Sequence, residues 1–396
     1  MSKQKIYLDY AATTPIDPRV LKAMMPYLKK DFGNPSSIHY FGQKGQEAID
    51  EARAEVAKFL NCLESEIIFT GSATEANNLA ILGTVNALKL KIETPHIITT
   101  QIEHPAVLEP FRFLEKNGAE VTYLPVSKEG IVNFFEIEKS IKKNTVLVSI
   151  IYANNEIGTI QPIKEISKII ANYRVQNDAS KILFHTDAVQ AINYLNCDVK
   201  ELGVDLLTLS AHKIYGPKGV GGLFVKEGTP LVPLFFGGGQ ENGKRSGTEN
   251  IAGIAGLGEA IKLVKKEKSK IKKITKQRNK IIKEVLKTIP GAKINGSLEK
   301  RLCNNINFTF PGAEGESIVM ALDQEGIAVS TGSACSSKKL EPSYVLMALG
   351  LAEKDAHCSL RISLGRYTKD SEVSQFLKIL PKTIKKLRII SGYQTK

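Results

Sequence analysis

The chain has 396 residues, of which 42% are apolar and 24% charged, and a net charge of +13. This composition supports a large buried core, divided between two domains, and no apolar run approaches the roughly 20 residues that span a bilayer. Five cysteines without metal-ligand spacing, and a start (Met1-Ser2-Lys3-Gln4-Lys5) lacking a signal peptide's apolar stretch, argue against a disulfide scaffold and for cytoplasmic residence.

In chain order, Ile6-Tyr7-Leu8-Asp9-Tyr10-Ala11-Ala12-Thr13-Thr14-Pro15 reads as an ordered arm laid across the fold. Helices are expected at 18–28 and 44–60, separated by a Gly-Asn-Pro turn in which His39 serves loop packing. Short apolar runs then predict strands at 66–70, 96–100, 120–124, 146–150, 182–185, 205–209 and 222–225. Helical periodicity fills the gaps at 75–91, 106–117, 133–142 and 163–175. Such alternation implies an α/β fold with a central, mostly parallel sheet covered by helices on both faces. From Ile251 to Ile289 the pattern is one long helix with room for a kink, ended by Pro290-Gly291. Beyond it lies a smaller α+β domain, with strands at 305–310 and 359–363 and helices at 314–325, 342–349 and 371–389. The expected division is an arm (1–15), a large domain (16–250), a connecting helix (251–289) and a small C-terminal domain (290–396). Lysines crowd 262–287 and 382–388 without an aromatic ladder, which reads as a solvated face and gives no strong nucleic-acid signal.

The candidate chemistry clusters after strands. Ser210-Ala211-His212-Lys213 ends one of them, and a lysine held there can form a Schiff base with a cofactor aldehyde while Ser210 helps hold a phosphate. Asp187 closes another strand and could pair with a ring nitrogen. Gly71-Ser72-Ala73-Thr74-Glu75 is a small-residue turn into a helix, with free backbone donors for a phosphate. His104, before Pro105, could stack on a flat ring and move protons, or simply precede a capped helix. Asn155 lies in an Asn/Gly turn and could hold a ring hydroxyl or a carboxylate. Thr248, after a glycine-rich loop that is not a P-loop, reads best as a helix cap, with a phosphate contact across a dimer as the alternative. Cys335 sits among small polar residues beside Lys338 and Lys339, which favour a thiolate. Arg361 interrupts an apolar strand and suits a carboxylate, whereas Arg366 better fits a packing ion pair.

Together, Gly33-Asn34-Pro35-Ser36-Ser37-Ile38-His39, Gly71-Ser72-Ala73-Thr74-Glu75, Ser210-Ala211-His212-Lys213, Arg245-Ser246-Gly247-Thr248 and Ser333-Ala334-Cys335-Ser336-Ser337 carry a resemblance over nearly the whole chain. The sequence resembles the cysteine desulfurases of the fold-type I, class V aminotransferase superfamily, in their housekeeping and nitrogen-fixation branch. The resemblance implies a fold-type I transferase that uses pyridoxal 5'-phosphate, forms a homodimer, and converts L-cysteine to L-alanine. It implies Lys213 as the aldehyde-binding lysine, Asp187 as partner of the pyridine nitrogen, His104 stacked on the ring and Gln190 on the phenolic oxygen. Ala73, Thr74, Ser210 and His212 match phosphate-binding positions, and Thr248 matches the residue that reaches the neighbouring subunit's phosphate. Asn155 and Arg361 match the clamp on the substrate carboxylate, and Cys335 the nucleophile that receives sulfur as a persulfide. An iron–sulfur cluster scaffold or another acceptor protein is the implied partner, with tRNA thiolation as a further destination for the sulfur. The sequence stops soon after Ser391-Gly392-Tyr393, where related chains continue into a scaffold-docking tail, so a different docking surface or acceptor is expected.

Overall fold

The computed structural model describes residues 5–89, 92–176, 182–332 and 341–393. The arm begins as a short strand, β1 (Ile6–Tyr7). Seven further strands form the large sheet: β2 (Ile67–Thr70), β3 (His96–Thr100), β4 (Glu120–Leu124), β5 (Thr145–Ser149), β6 (Leu183–Asp187), β7 (Leu206–Ser210) and β8 (Gly221–Val225). Each lies within two residues of its expected position. Their order is β2-β8-β7-β6-β5-β3-β4, and only β8 runs against its neighbours. All of these strands except edge strand β4 are buried along their length, which is why they read as continuous apolar runs.

Successive strand residues point to opposite faces and so feed two cores. Ile67, Phe69, Ile98 and Leu207 pack under the helices Pro18–Lys29, Tyr40–Leu60, Ile163–Gln176 and Ile251–Lys266. Ile68, Ile97 and Leu206 pack under the helical segment that starts at Ala73 and under Pro105–Lys116. That segment runs through a π-type turn, Leu79–Gly83, before continuing to Lys89. Helices Tyr40–Leu60 and Ile251–Lys266 approach closely because Gly258 has no side chain; a Cβ there would meet the Ala52 Cα at 2.8 Å.

A third core joins β1 to the C-terminal elements β9 (Lys293–Ile294), β10 (Asn305–Thr309), β11 (Ile327–Ala328) and β12 (Ser359–Ser363). β10 lies between β9 and β12, antiparallel to both, while β1 runs parallel to β11. Two-residue strands such as β1, β9 and β11 carry no periodic signal, so the sequence does not mark them. The expected single connecting helix is two helices, Ile251–Lys266 and Lys270–Thr288, packed in different cores. His39 is a helix cap: its Nδ1 accepts from the Gly42 amide at 3.3 Å, so the helix begins at Tyr40, four residues earlier than its apolar pattern.

The C-terminal part is tied to the start of helix Pro18–Lys29 by a charge cluster around the buried Asp17 and Arg366 side chains. Asp17 accepts from Arg19, Arg366 and the Tyr367 hydroxyl, and the Arg366 guanidinium stacks 3.7 Å from the Tyr215 ring centroid. Arg366 is therefore the packing ion pair its position suggested.

Candidate active site

Strands β2, β3, β5, β6 and β7 are mutually parallel, so their C-terminal ends share one edge of the sheet. Loops and helix starts converge there, and they enclose a cavity of about 690 Å³. Lys213 lies three residues past β7, at the end of a short 3₁₀ turn, Ala211–Lys213. Its Nζ enters the cavity and donates to the carbonyl oxygens of Ala11 and Ala12, each at 2.7 Å. The arm thus supplies the lysine's acceptors. Tyr215, two residues on, is buried in the left-handed region (φ 69°), and its amide donates to Thr14 Oγ1. That backbone strain is held by packing on both sides and fixes the turn that presents the lysine.

Asp187 ends β6, buried in the same cavity, where Oδ2 accepts from Asn77 Nδ2 at 2.8 Å and Oδ1 from the Val189 amide at 3.0 Å. Gln190 follows it, with Nε2 donating to Ala11 O at 3.0 Å. His104 caps the helix Pro105–Lys116 through Nδ1, which accepts from the Ala106 amide at 3.1 Å. It also lines the cavity, so capping and site placement coincide. Burial holds its pKa below the usual value, with the Lys213 charge adding to this and Asp187 opposing it. Ala73 and Thr74 open the helix after β2, with Ser72 as cap accepting from the Glu75 amide. Ser210 and His212 stand across from them. Burial lowers the His212 pKa to about 4, and its Nδ1 pairs with Thr13 Oγ1.

Arg361, on β12, is buried at the same cavity. Its Nη2 pairs with Asp9 Oδ1 at 2.9 Å and its Nη1 donates to the Asn155 carbonyl at 3.1 Å, while Nε is buried without a partner among the described residues. Asn155 therefore meets Arg361 through its backbone. Next to it, Glu156 is buried, accepts from Ser343 Oγ at 2.5 Å, and is pushed toward its neutral form by burial. Glu103, buried beside His104, has its pKa raised by burial to about 8 and accepts from Thr100 Oγ1 and the Ile151 amide. Asp9, Asn77, Glu103 and Glu156 were not singled out from the sequence. Each sits one to three residues from a flagged position or inside the arm, but its role depends on a partner distant in the chain.

The class-V aminotransferase family matches residues 6–376. A cysteine desulfurase IscS from Dictyoglomus turgidum is 53% identical over 99% of this chain and 98% of its own length. A mitosomal cysteine desulfurase from Trachipleistophora hominis is 47% identical over 98% of this chain and 88% of its own. Among solved structures, a NifS-like protein superposes with a TM-score of 0.89 at 38% identity, over 98% of this chain and 100% of that one. SspA in complex with cysteine gives a TM-score of 0.78 at 37% identity, over 92% and 100%. The chain is a class-V aminotransferase of the cysteine desulfurase branch.

One predicted residue of this desulfurase, Thr248, stands apart from the cavity. Thr248 is exposed on the loop before Ile251–Lys266, and that helix is capped by Asn250, whose Oδ1 accepts from the Gly253 amide. The capping reading of Thr248 is corrected accordingly. Cys335 lies outside the described residues. Of the other cysteines, Cys62, Cys197 and Cys303 have thiols that burial pushes up to about 12, and the Cys358 thiol is also raised by burial. None of these four is poised as a thiolate. Among the described residues, no helix is long and apolar enough to cross a membrane.

Proposed function

We propose that the protein is a pyridoxal-phosphate-dependent cysteine desulfurase that moves sulfur from L-cysteine onto Cys335 and releases L-alanine. The observation that carries this reading is the meeting of the Lys213 amine, the Asp187 carboxylate and the Arg361 guanidinium in one buried cavity.

The residues present fit the cofactor. Asp187 offers a buried carboxylate to a ring nitrogen. The helix start at Ala73 offers backbone donors to a phosphate, and β8 is pressed so close that a Cβ on Gly221 would lie 2.7 Å from the Ser72 carbonyl carbon. When bound, the cofactor supplies an electrophilic aldehyde and a protonated ring that takes up electron density from the substrate α-carbon. Ala73, Thr74, Ser210 and His212 hold the phosphate, and in a homodimer the exposed Thr248 reaches the partner subunit's phosphate. Asp187 keeps a proton on the ring nitrogen, Gln190 orients the phenolic oxygen, and His104 covers the ring.

Lys213 Nζ would hold the aldehyde carbon, and the same amine would move the proton at the substrate α-carbon. Arg361 and Asn155 orient the α-carboxylate. The Cys335 thiolate attacks the substrate sulfur, so that an S–S bond forms as the C–S bond breaks. The C–S electron pair stays with carbon, which is protonated to give L-alanine. The persulfide then passes to an acceptor protein of iron–sulfur cluster assembly or, for tRNA thiolation, to another cytoplasmic acceptor.

The test is single-turnover reaction of the purified holoenzyme with L-cysteine. One sulfur atom is expected on the peptide carrying Cys335, together with one equivalent of L-alanine, and both should be lost in Cys335→Ala. Full alanine production by that variant would remove the assignment.

A further inference from the structure

We propose that Asp9 is a specificity-determining residue that balances the charge of Arg361, so that the site accepts zwitterionic amino acids and rejects simple anions. The proposal rests on the reading above, in which Arg361 takes the substrate carboxylate.

The geometry is asymmetric. Of the guanidinium nitrogens, Nη2 is taken by Asp9 Oδ1 at 2.9 Å and Nη1 by a backbone carbonyl, while Nε is buried with no partner among the described residues. The arginine side chain is 3% exposed and that of Asp9 17%, so the pair is largely removed from water. The neighbouring carboxyl of Glu156 is buried, accepts from Ser343 and is driven toward its neutral form. Asp9 is thus the counter-ion of Arg361, and Nε is the guanidinium nitrogen left without a partner among the described residues.

Charge counting gives the consequence. A lone carboxylate arriving at Arg361 would leave two negative groups around one buried positive group, an arrangement that low dielectric penalises. An amino acid brings its own ammonium, so it adds no net charge to the Arg361–Asp9 pair. A device of this kind selects by repelling the wrong ligand as well as by attracting the right one. Asp9 does not touch the reacting atoms. Its backbone, by contrast, is held by a bridge to Ser363 and by the Ala12 amide, so a side-chain change leaves the arm seated.

The experiment is calorimetric binding of 3-mercaptopropionate, a carboxylate and thiol without the amine, to the holoenzyme and its variants, alongside KM for L-cysteine. Asp9→Asn is expected to bind 3-mercaptopropionate at least about tenfold more tightly, while KM for L-cysteine changes by a smaller factor. Asp9→Glu, which keeps the charge, should retain the wild-type ratio. An equal change in both quantities, or no change in either, overturns the proposal. Arg361→Gln separates the two readings: if it leaves both quantities unaltered, the carboxylate clamp itself is wrong. If Asp9→Asn does not fold, Asp9→Ser takes its place, with the same outcome supporting the proposal and the same outcomes overturning it.

Discussion

Asn77 Nδ2 donates to Asp187 Oδ2 at 2.8 Å, joining the helical segment after β2 to the end of β6 beneath the cavity. Both side chains are buried, so the bond fixes the carboxylate's orientation where water cannot replace the donor. Asn77→Leu leaves that oxygen without a donor at a cost of about 1–2 kcal/mol. Titration of the apoprotein with pyridoxal phosphate, followed by absorbance, should then show roughly tenfold weaker binding. Unchanged affinity would mean that Asn77 only packs.

Gly221 tests the phosphate cradle. A Cβ at this position would stand 2.7 Å from the Ser72 carbonyl carbon and 2.9 Å from the Ala73 amide nitrogen, both backbone atoms that cannot swing aside. Gly221→Ala should push the helix start away from β8 and weaken binding of inorganic phosphate and of the cofactor together. Overpacking of this kind costs about 1–3 kcal/mol, so melting will also fall by a few degrees. Loss of stability with unaltered phosphate binding would place the anion elsewhere.

The Asp17 cluster should set part of the acid limit of stability. The Arg19 hydrogen bonds hold the Asp17 carboxyl well below the usual carboxylate range, with Tyr367 adding to the effect. A depressed folded pKa stabilises the protein above the unfolded value near 4, and the benefit is lost as pH falls below it. Asp17→Asn also leaves the buried Arg366 without its counter-ion, so a loss of about 3 kcal/mol is expected at neutral pH. The gap between the wild-type and variant melting curves should narrow below pH 4.

Glu103 acts with the opposite sign. Burial raises its carboxyl to about 8, so between the unfolded value near 4.3 and pH 8 the folded protein holds a proton that the unfolded chain releases. Stability from this group falls as pH rises through that window, by at most about 1.4 kcal/mol per unit. Glu103→Gln keeps a side-chain oxygen for Thr100 and the Ile151 amide but has no proton to lose. Its stability relative to wild type should increase from pH 5 to pH 8 in denaturant titrations, and parallel curves would show that Glu103 does not titrate there.

Much of the large sheet is legible in the chain because a strand buried on both faces must be apolar along its whole length. The sequence locates β3 and β4 to the residue, and it attaches Lys213, Asp187 and Thr74 to strand ends for the same local reason. It also carries the family through short motifs whose residues are neighbours in the chain. What only the tertiary structure decides is which distant groups meet. Asp9 reaches Arg361 across nearly the full length of the chain, and the arm's carbonyls receive the Lys213 amine. Asn250 rather than Thr248 caps its helix, and two packed helices replace the single connecting one. Periodicity encodes which face of an element is buried. The partner of a buried charge depends instead on strand order and on the approach of two cores, and neither leaves a local mark in the residues concerned.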